Sequence, residues 1–271
     1  MINQVQKCEA LSQLHNSHEP FVIPNPWDVG SATILESMGF KALATTSAGF
    51  AITLGRLDGQ ITLEEKLQHC TVLANATSIP ISVDFENGFA EDPKTLGENI
   101  IALAATGVAG CSIEDYSREN QSLYAFELAV ERVEAALEAI ESLDMPFQLC
   151  ARAENLIRGV DDLDDTIKRL QAFDKAGAHL LYAPGLHSLE QITLVKTATA
   201  KPLNVLAAFF PGHSVQELGA AGASRISLGN ALSNAALKPL LDAGDEMLTK
   251  GTFGWTNQMA SGSRIASLIK R

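Results

Sequence analysis

Carboxylates at the ends of apolar runs are the residues of this chain best placed to do chemistry. Pro80 is followed by Ile81-Ser-Val-Asp-Phe-Glu-Asn-Gly88, a short extended run that leads into Asp84 and Glu86. Residues two apart on a strand share a face, so the spacing predicts that Asp84 and Glu86 point the same way. Neighbouring carboxylates repel. They coexist when solvated, when one holds a proton, or when a cation sits between them. Cys111-Ser-Ile-Glu-Asp115 and Gln148-Leu-Cys-Ala-Arg-Ala-Glu-Asn155 repeat the pattern. Ser112 shares a face with Glu114, and Arg152 with Glu154; Asp115 falls on the opposite face and reads as structural. Three acid-tipped strands imply one polar face, which suits a hard oxygen-seeking ion such as Mg²⁺, with Mn²⁺ as a substitute. The plainer alternative is a solvated rim, or an ion-pair cluster built around Arg152.

The elements that must position these residues alternate along the chain. Strands are expected at Phe21–Asp28, Ala42–Ser47, Ile81–Glu86, Gly110–Asp115, Phe147–Glu154, His179–Ala183, Leu203–Phe209 and Ser224–Leu228. An amphipathic helix follows each strand, from Gly30–Gly39, capped by Ser31, through to Ala231–Leu248. Thr62-Leu-Glu-Glu65 is a capping box, and Ala48–Gly59 reads as a long loop. Gly39, Gly107, Gly177 and Gly222 each stop a helix just before a strand. Apolar strands alternating with helices mean a parallel sheet covered by helices. Eight such units in roughly 230 residues fit a closed (β/α)₈ TIM barrel. No linker or low-complexity run divides the chain, so residues 1–271 are expected to form one α/β domain. Residues 250–271, with Phe253 and Trp255, form a C-terminal helical extension that packs on another subunit or on its own barrel.

Composition narrows the partners. Net charge is −12, with 32 acids against 20 lysines and arginines, so no basic surface is available for nucleic acid or anionic membranes. No apolar run reaches the ~20 residues that span a bilayer. Met1-Ile-Asn-Gln-Val-Gln-Lys-Cys-Glu9 does not read as an export signal, and Cys8, Cys70, Cys111 and Cys150 are dispersed. A reducing, cytoplasmic setting is expected.

Taken together and in order, these residues resemble the isocitrate lyase/phosphoenolpyruvate mutase superfamily of barrels, over about Phe21 to Leu248. Thr45-Thr-Ser-Ala-Gly49 looks like that family's second-strand loop, Val83-Asp-Phe-Glu-Asn-Gly-Phe89 like its metal strand, Ser112-Ile-Glu-Asp115 like the next strand end, and Ala151-Arg-Ala-Glu154 like the strand with its substrate-binding arginine. The resemblance implies metal ligands at Asp84, Glu86 and Glu114, with Asp58 nearby. It also implies a substrate carboxylate held by Thr45, Ser47 and the amides of Ala48 and Gly49, with Arg152 as the catalytic cation. Asn204, on the seventh strand, either faces the substrate or is a satisfied interior amide. A homo-oligomer, dimer or tetramer, is implied as well.

This chain also departs from the family. The lyases that cut isocitrate or methylisocitrate carry Lys-Arg-Cys-Gly-His after the Glu-Asp strand. Here the loop runs Tyr116-Ser-Arg-Glu-Asn-Gln-Ser122, without cysteine, histidine or lysine. Arg118 and Asn120 stand where the mutase type has a lysine and an asparagine. The sixth strand ends Tyr182-Ala-Pro-Gly185, where the mutase type has a histidine. The expected reaction is therefore C–C cleavage or decarboxylation of a small α-keto or 2-hydroxy dicarboxylic acid, through a metal-bound enolate. Tyr116, His213 and Tyr182 are the candidate proton donors, while His187 reads as structural. A P–C bond enzyme of the phosphonopyruvate type, and a binding barrel that has lost turnover, are the alternatives. A phosphate-binding barrel ranks below them, because Ser227-Leu-Gly-Asn230 has only Arg225 beside it.

Overall fold

The computed structural model describes residues 3–269. Eight parallel strands form a nearly closed (β/α)₈ barrel: β1 (Phe21–Ile23), β2 (Leu43–Ala44), β3 (Ile81–Asp84), β4 (Gly110–Glu114), β7 (Gln148–Arg152), β8 (Leu180–Tyr182), β9 (Leu203–Leu206) and β10 (Arg225–Ser227). Their order is β1-β10-β9-β8-β7-β4-β3-β2. The two ends of this sheet meet where the Ala44 N–H donates to Pro24 O at 2.9 Å and Asn25 Nδ2 donates to Thr45 O at 3.0 Å. A small antiparallel hairpin, β5 (Tyr116–Ser117) and β6 (Ser122–Leu123), stands over the mouth after β4.

The strands are apolar because both faces are covered. Ile81, Val83, Cys111, Leu149 and Leu181 are all but fully buried. The covering helices are α2 (Val29–Ser37), α4 (Leu63–Ala76), α5 (Pro93–Ala104), α6 (Phe126–Glu141), α7 (Leu163–Ala176), α8 (Leu189–Ala198), α9 (Val215–Ala221) and α10 (Ala231–Lys250). On α5, Leu96, Ile100 and Leu103 repeat at helical spacing and are buried. α1 (Gln4–His15) closes the amino-terminal end of the barrel, and Gly177 ends α7 at φ 108°, a left-handed cap that only glycine adopts without strain. Among the described residues no helix is long and apolar enough to cross a membrane.

Three expectations change. Residues Ser47–Thr53 form a helix, α3, where a strand end and loop were expected, because Thr46 caps it through the Gly49 N–H. The cap of α2 is Asp28; Ser31 instead completes a capping box three residues on. β3 stops at Asp84, and Glu86 lies beyond it at φ 50°, so strand alternation does not set its direction. Of the two placements expected for the C-terminal extension, this structure has the one on its own chain: α11 (Gly262–Ile269) lies on α2, with Ser37 Oγ donating to Leu268 O at 2.6 Å.

Candidate active site

The carboxyl ends of the barrel strands enclose a cavity of about 220 Å³. Its wall begins at α3. Thr46 caps that helix, so Ser47 opens it with both its amide and its hydroxyl turned to the acids. The Ser47 N–H donates to Asp84 Oδ2 at 3.1 Å. Ser47 Oγ lies 2.9 Å from that same atom and 3.0 Å from Asp58 Oδ1. Arg152, at the end of β7, places Nη1 2.9 Å from Asp84 Oδ1. Burial alone would raise the Asp84 pKa, but Arg152, Lys66 and Ser47 together draw it down to about 2.

The other acids surround cations. Glu154 is fully buried and accepts from Arg152 Nε at 3.0 Å, Arg152 Nη2 at 2.7 Å and Arg158 Nε at 3.1 Å. Glu114 lies 3.3 Å from each of Arg118 Nε, Arg152 Nη2 and Arg158 Nη2; burial, then the charge of Glu154, raises its pKa. Glu86 is 2% exposed, with Oε2 2.9 Å from Arg118 Nε. Burial pushes Glu86 up to about 7 against the pull of Arg118 and Lys66. Arg118 also approaches Asp58 at 3.5 Å. Asp115 turns away, as strand alternation predicts, and pairs with Arg169 Nη1 at 3.0 Å while accepting the Glu154 N–H at 2.8 Å.

Of the candidates named from sequence, Thr45, Ser47, Ala48, Asp58, Asp84, Glu114 and Arg152 border the cavity, and Glu86 adjoins it through Arg118. Gly49 lies behind, its N–H spent on the Thr46 cap. Three others are not brought to the cavity. Tyr116 donates its hydroxyl to Gln121 Oε1 at 3.3 Å, with its ring under Arg158. His213 is exposed and meets the Phe210 ring edge-on. Asn204 is a satisfied interior amide, accepting from Arg225 and donating to Ser227 Oγ at 2.9 Å. Tyr182 does border the cavity, below Arg152.

Two residues had escaped the sequence reading. Arg158 sits on a 3₁₀ turn after β7, four residues past its partner Glu154; that spacing was the only available signal. Lys66 of α4 is fully buried, and its Nζ has no hydrogen-bond partner among the described residues. It lies on the core stripe with Leu63, Cys70 and Leu73, a lysine where the helical period asks for an apolar residue.

The donor chemistry fits a divalent metal. Carboxylates are the ligands a hard ion takes, and Glu86 Oε1 is buried without a hydrogen-bond partner among the described residues. Among the described residues, however, no three acids converge closely enough to hold an ion as they stand. Arg118 occupies the space between them, with Nε in ionic contact but without a directed hydrogen bond. Mg²⁺ commonly keeps several waters and few direct carboxylate ligands, so close convergence is not required of the site.

Comparison with known proteins finds relatives of the whole barrel. The model of the phosphoenolpyruvate phosphomutase family matches residues 11–248. A probable 2-methylisocitrate lyase 2 of Corynebacterium glutamicum (strain ATCC 13032) is 28% identical over 67% of this chain and 60% of its own length. Oxaloacetate decarboxylase 1 of Pseudomonas putida (strain W619) is 27% identical over 80% of this chain and 76% of its own. A solved structure from Burkholderia cenocepacia J2315, provisionally described as a lyase/mutase, is 44% identical. It superposes with a TM-score of 0.93 over 97% of this chain and 95% of that one.

Proposed function

The chain belongs to the isocitrate lyase/phosphoenolpyruvate mutase superfamily, and on that premise we propose that it is a divalent-metal-dependent lyase or decarboxylase. Its substrate is a small α-keto or 2-hydroxy dicarboxylic acid, in which it breaks a C–C bond. The observation that carries this reading is the convergence on one cavity of Ser47, Arg152 and the acids Asp58, Asp84 and Glu114, with Glu86 adjoining through Arg118.

Each residue has a task. The amide and hydroxyl of Ser47 are held by Asp84 and Asp58 in this structure, and they pass to a substrate carboxylate, beside the amide of Ala48, when a cation takes up those two acids. When bound among the acids, Mg²⁺ would act as a Lewis acid on the carbonyl next to that carboxylate. In an α-keto acid, the electron pair of the broken bond enters the carbonyl and forms an enolate. The other fragment leaves as CO₂ or as a carbonyl compound. Arg152 offers its guanidinium to the oxygen where negative charge grows. Glu154 grips that guanidinium from behind through two bonds, so Arg152 is held in place before substrate arrives.

Methylisocitrate cleavage by a loop cysteine has no support here. The β5–β6 hairpin lacks one, and all four cysteines are buried. The test is substitution of Asp84 or Arg152 by Ala, with folding checked by circular dichroism. Loss of turnover by at least about a hundredfold is expected, since removing one preorganised charge costs roughly 3 kcal/mol in the transition state. A folded variant of either residue with wild-type turnover would remove the basis of this reading.

A further inference from the structure

The inner end of the cavity holds a charge that the reaction above does not use. Arg225, the first residue of β10, is 4% exposed and borders the cavity together with Ser82. Its Nε donates to Asn204 Oδ1 at 2.7 Å; its Nη1 lies 3.3 Å from His15 Nε2 and 3.4 Å from Ser82 Oγ. None of these partners is an anion. His15 is buried, and burial with the charge of Arg225 holds it down to about 3, so it is neutral. Among the described residues no carboxylate forms an ion pair with Arg225, whereas Asp84, Glu86, Glu114 and Glu154 are each engaged by other arginines.

A guanidinium does not shed its proton in a protein, so this charge persists. A buried charge without a counter-ion is costly, and a cavity beside it gives the counter-ion a place to arrive. Ser82 precedes Asp84 by two residues on the same strand face, so Arg225 lies one step deeper than the Ser47, Asp84 and Arg152 group. We propose that Arg225 binds the second carboxylate of the substrate, which makes the substrate a dicarboxylate whose far end points into the barrel. The proposal rests on the reading above for the position of the first carboxylate.

The experiment compares protein with Mg²⁺ binding pyruvate, 3,3-difluorooxaloacetate as an unreactive dicarboxylate, and malonate, which has no keto group. Calorimetry is run on wild type, Arg225→Gln, Arg225→Lys and Asn204→Asp. Difluorooxaloacetate should bind wild type about 10- to 100-fold more tightly than pyruvate, the range set by one charge-assisted contact. Arg225→Gln should abolish that preference without weakening pyruvate, and Arg225→Lys should restore part of it. Asn204→Asp supplies an internal anion against Arg225 Nε. It should raise the melting temperature and weaken both dicarboxylates, and it keeps the test open if Arg225→Gln does not fold.

Equal loss of both keto acids in Arg225→Gln, or an unchanged preference, overturns the proposal. So does Asn204→Asp with unaltered dicarboxylate binding. If wild type binds neither keto acid, the keto-acid reading fails. The anion site then stands if malonate stabilises wild type but not Asn204→Asp, and falls otherwise.

Discussion

Replacing Arg118 with Met removes the cation that the acid cluster holds at its centre. Side-chain exposure is 21% for Arg118, 3% for Glu86 and 1% for Glu114, but 43% for Asp58. Breaking a buried ion pair costs about 3–5 kcal/mol, and the partial exposure of Arg118 and Asp58 reduces that through solvent screening. Glu114 keeps Arg152 and Arg158, so Glu86 bears most of the loss. A net cost of about 2–3 kcal/mol is expected at neutral to alkaline pH, lowering the melting temperature by roughly 4–12 °C.

The sign with pH follows from Glu86, whose folded pKa of about 7 stands above the ordinary 4.5. A carboxyl raised on folding favours the fold fully when protonated, and that contribution is lost as pH rises through the folded value. Arg118 pulls Glu86 down, so its removal raises that value and widens the loss between about pH 6 and about pH 8. Mg²⁺ at a hundred times its dissociation constant should return about 2.7 kcal/mol. Thermal unfolding of both proteins across this range, in EDTA and in Mg²⁺, reads all of it. A variant as stable as wild type in EDTA, or one that Mg²⁺ does not rescue, would refute the view that these acids form a cation site.

Three further outcomes follow from other contacts. Lys66→Met removes a buried side chain whose charge draws down the pKa of both Asp84 and Glu86; it should lower stability by about 1–3 kcal/mol at neutral pH in a thermal melt. A more stable variant would mean that the cost of burying Lys66 without a hydrogen bond outweighs that counter-charge. Asp115→Ala leaves the Glu154 N–H and one Arg169 contact unmet; a loss of about 1–3 kcal/mol in urea unfolding is expected. No change would show that the pairing behind β4 is idle. Gly59→Ala adds a methyl against Arg118 Nη1 at a residue with φ 79°. It should act as a weaker Arg118→Met, costing about 1–2 kcal/mol for the backbone alone, read in the same melts.

The barrel was legible because its signals are local and repeated. Helix-stopping glycines such as Gly177, and apolar runs such as Ile81–Val83, announce each unit without reference to the rest of the chain. The acids at strand ends were legible for the same reason, since a strand that ends at Glu114 brings its tip to the barrel mouth. What escaped depends on partners distant in sequence or on backbone turns. Gly49 read as loop, yet Thr46, three residues before it, caps α3. Glu86 breaks alternation by a positive φ that no residue type announces. Arg118 and Arg158 meet Glu114 only after β4, the hairpin and β7 are assembled, and Arg225 shows its lack of a carboxylate only once the barrel closes around it.

Turnover of dicarboxylic acids with and without a divalent metal tests the central claim most directly. Purified protein is incubated with oxaloacetate, 2,3-dimethylmalate, methylisocitrate and phosphonopyruvate, in Mg²⁺ or in EDTA, and products are followed by NMR. The account predicts metal-dependent C–C cleavage of a keto or hydroxy dicarboxylate, abolished by EDTA, and no consumption of phosphonopyruvate. Turnover indifferent to EDTA, consumption of phosphonopyruvate alone, or no consumption of any dicarboxylate would contradict it.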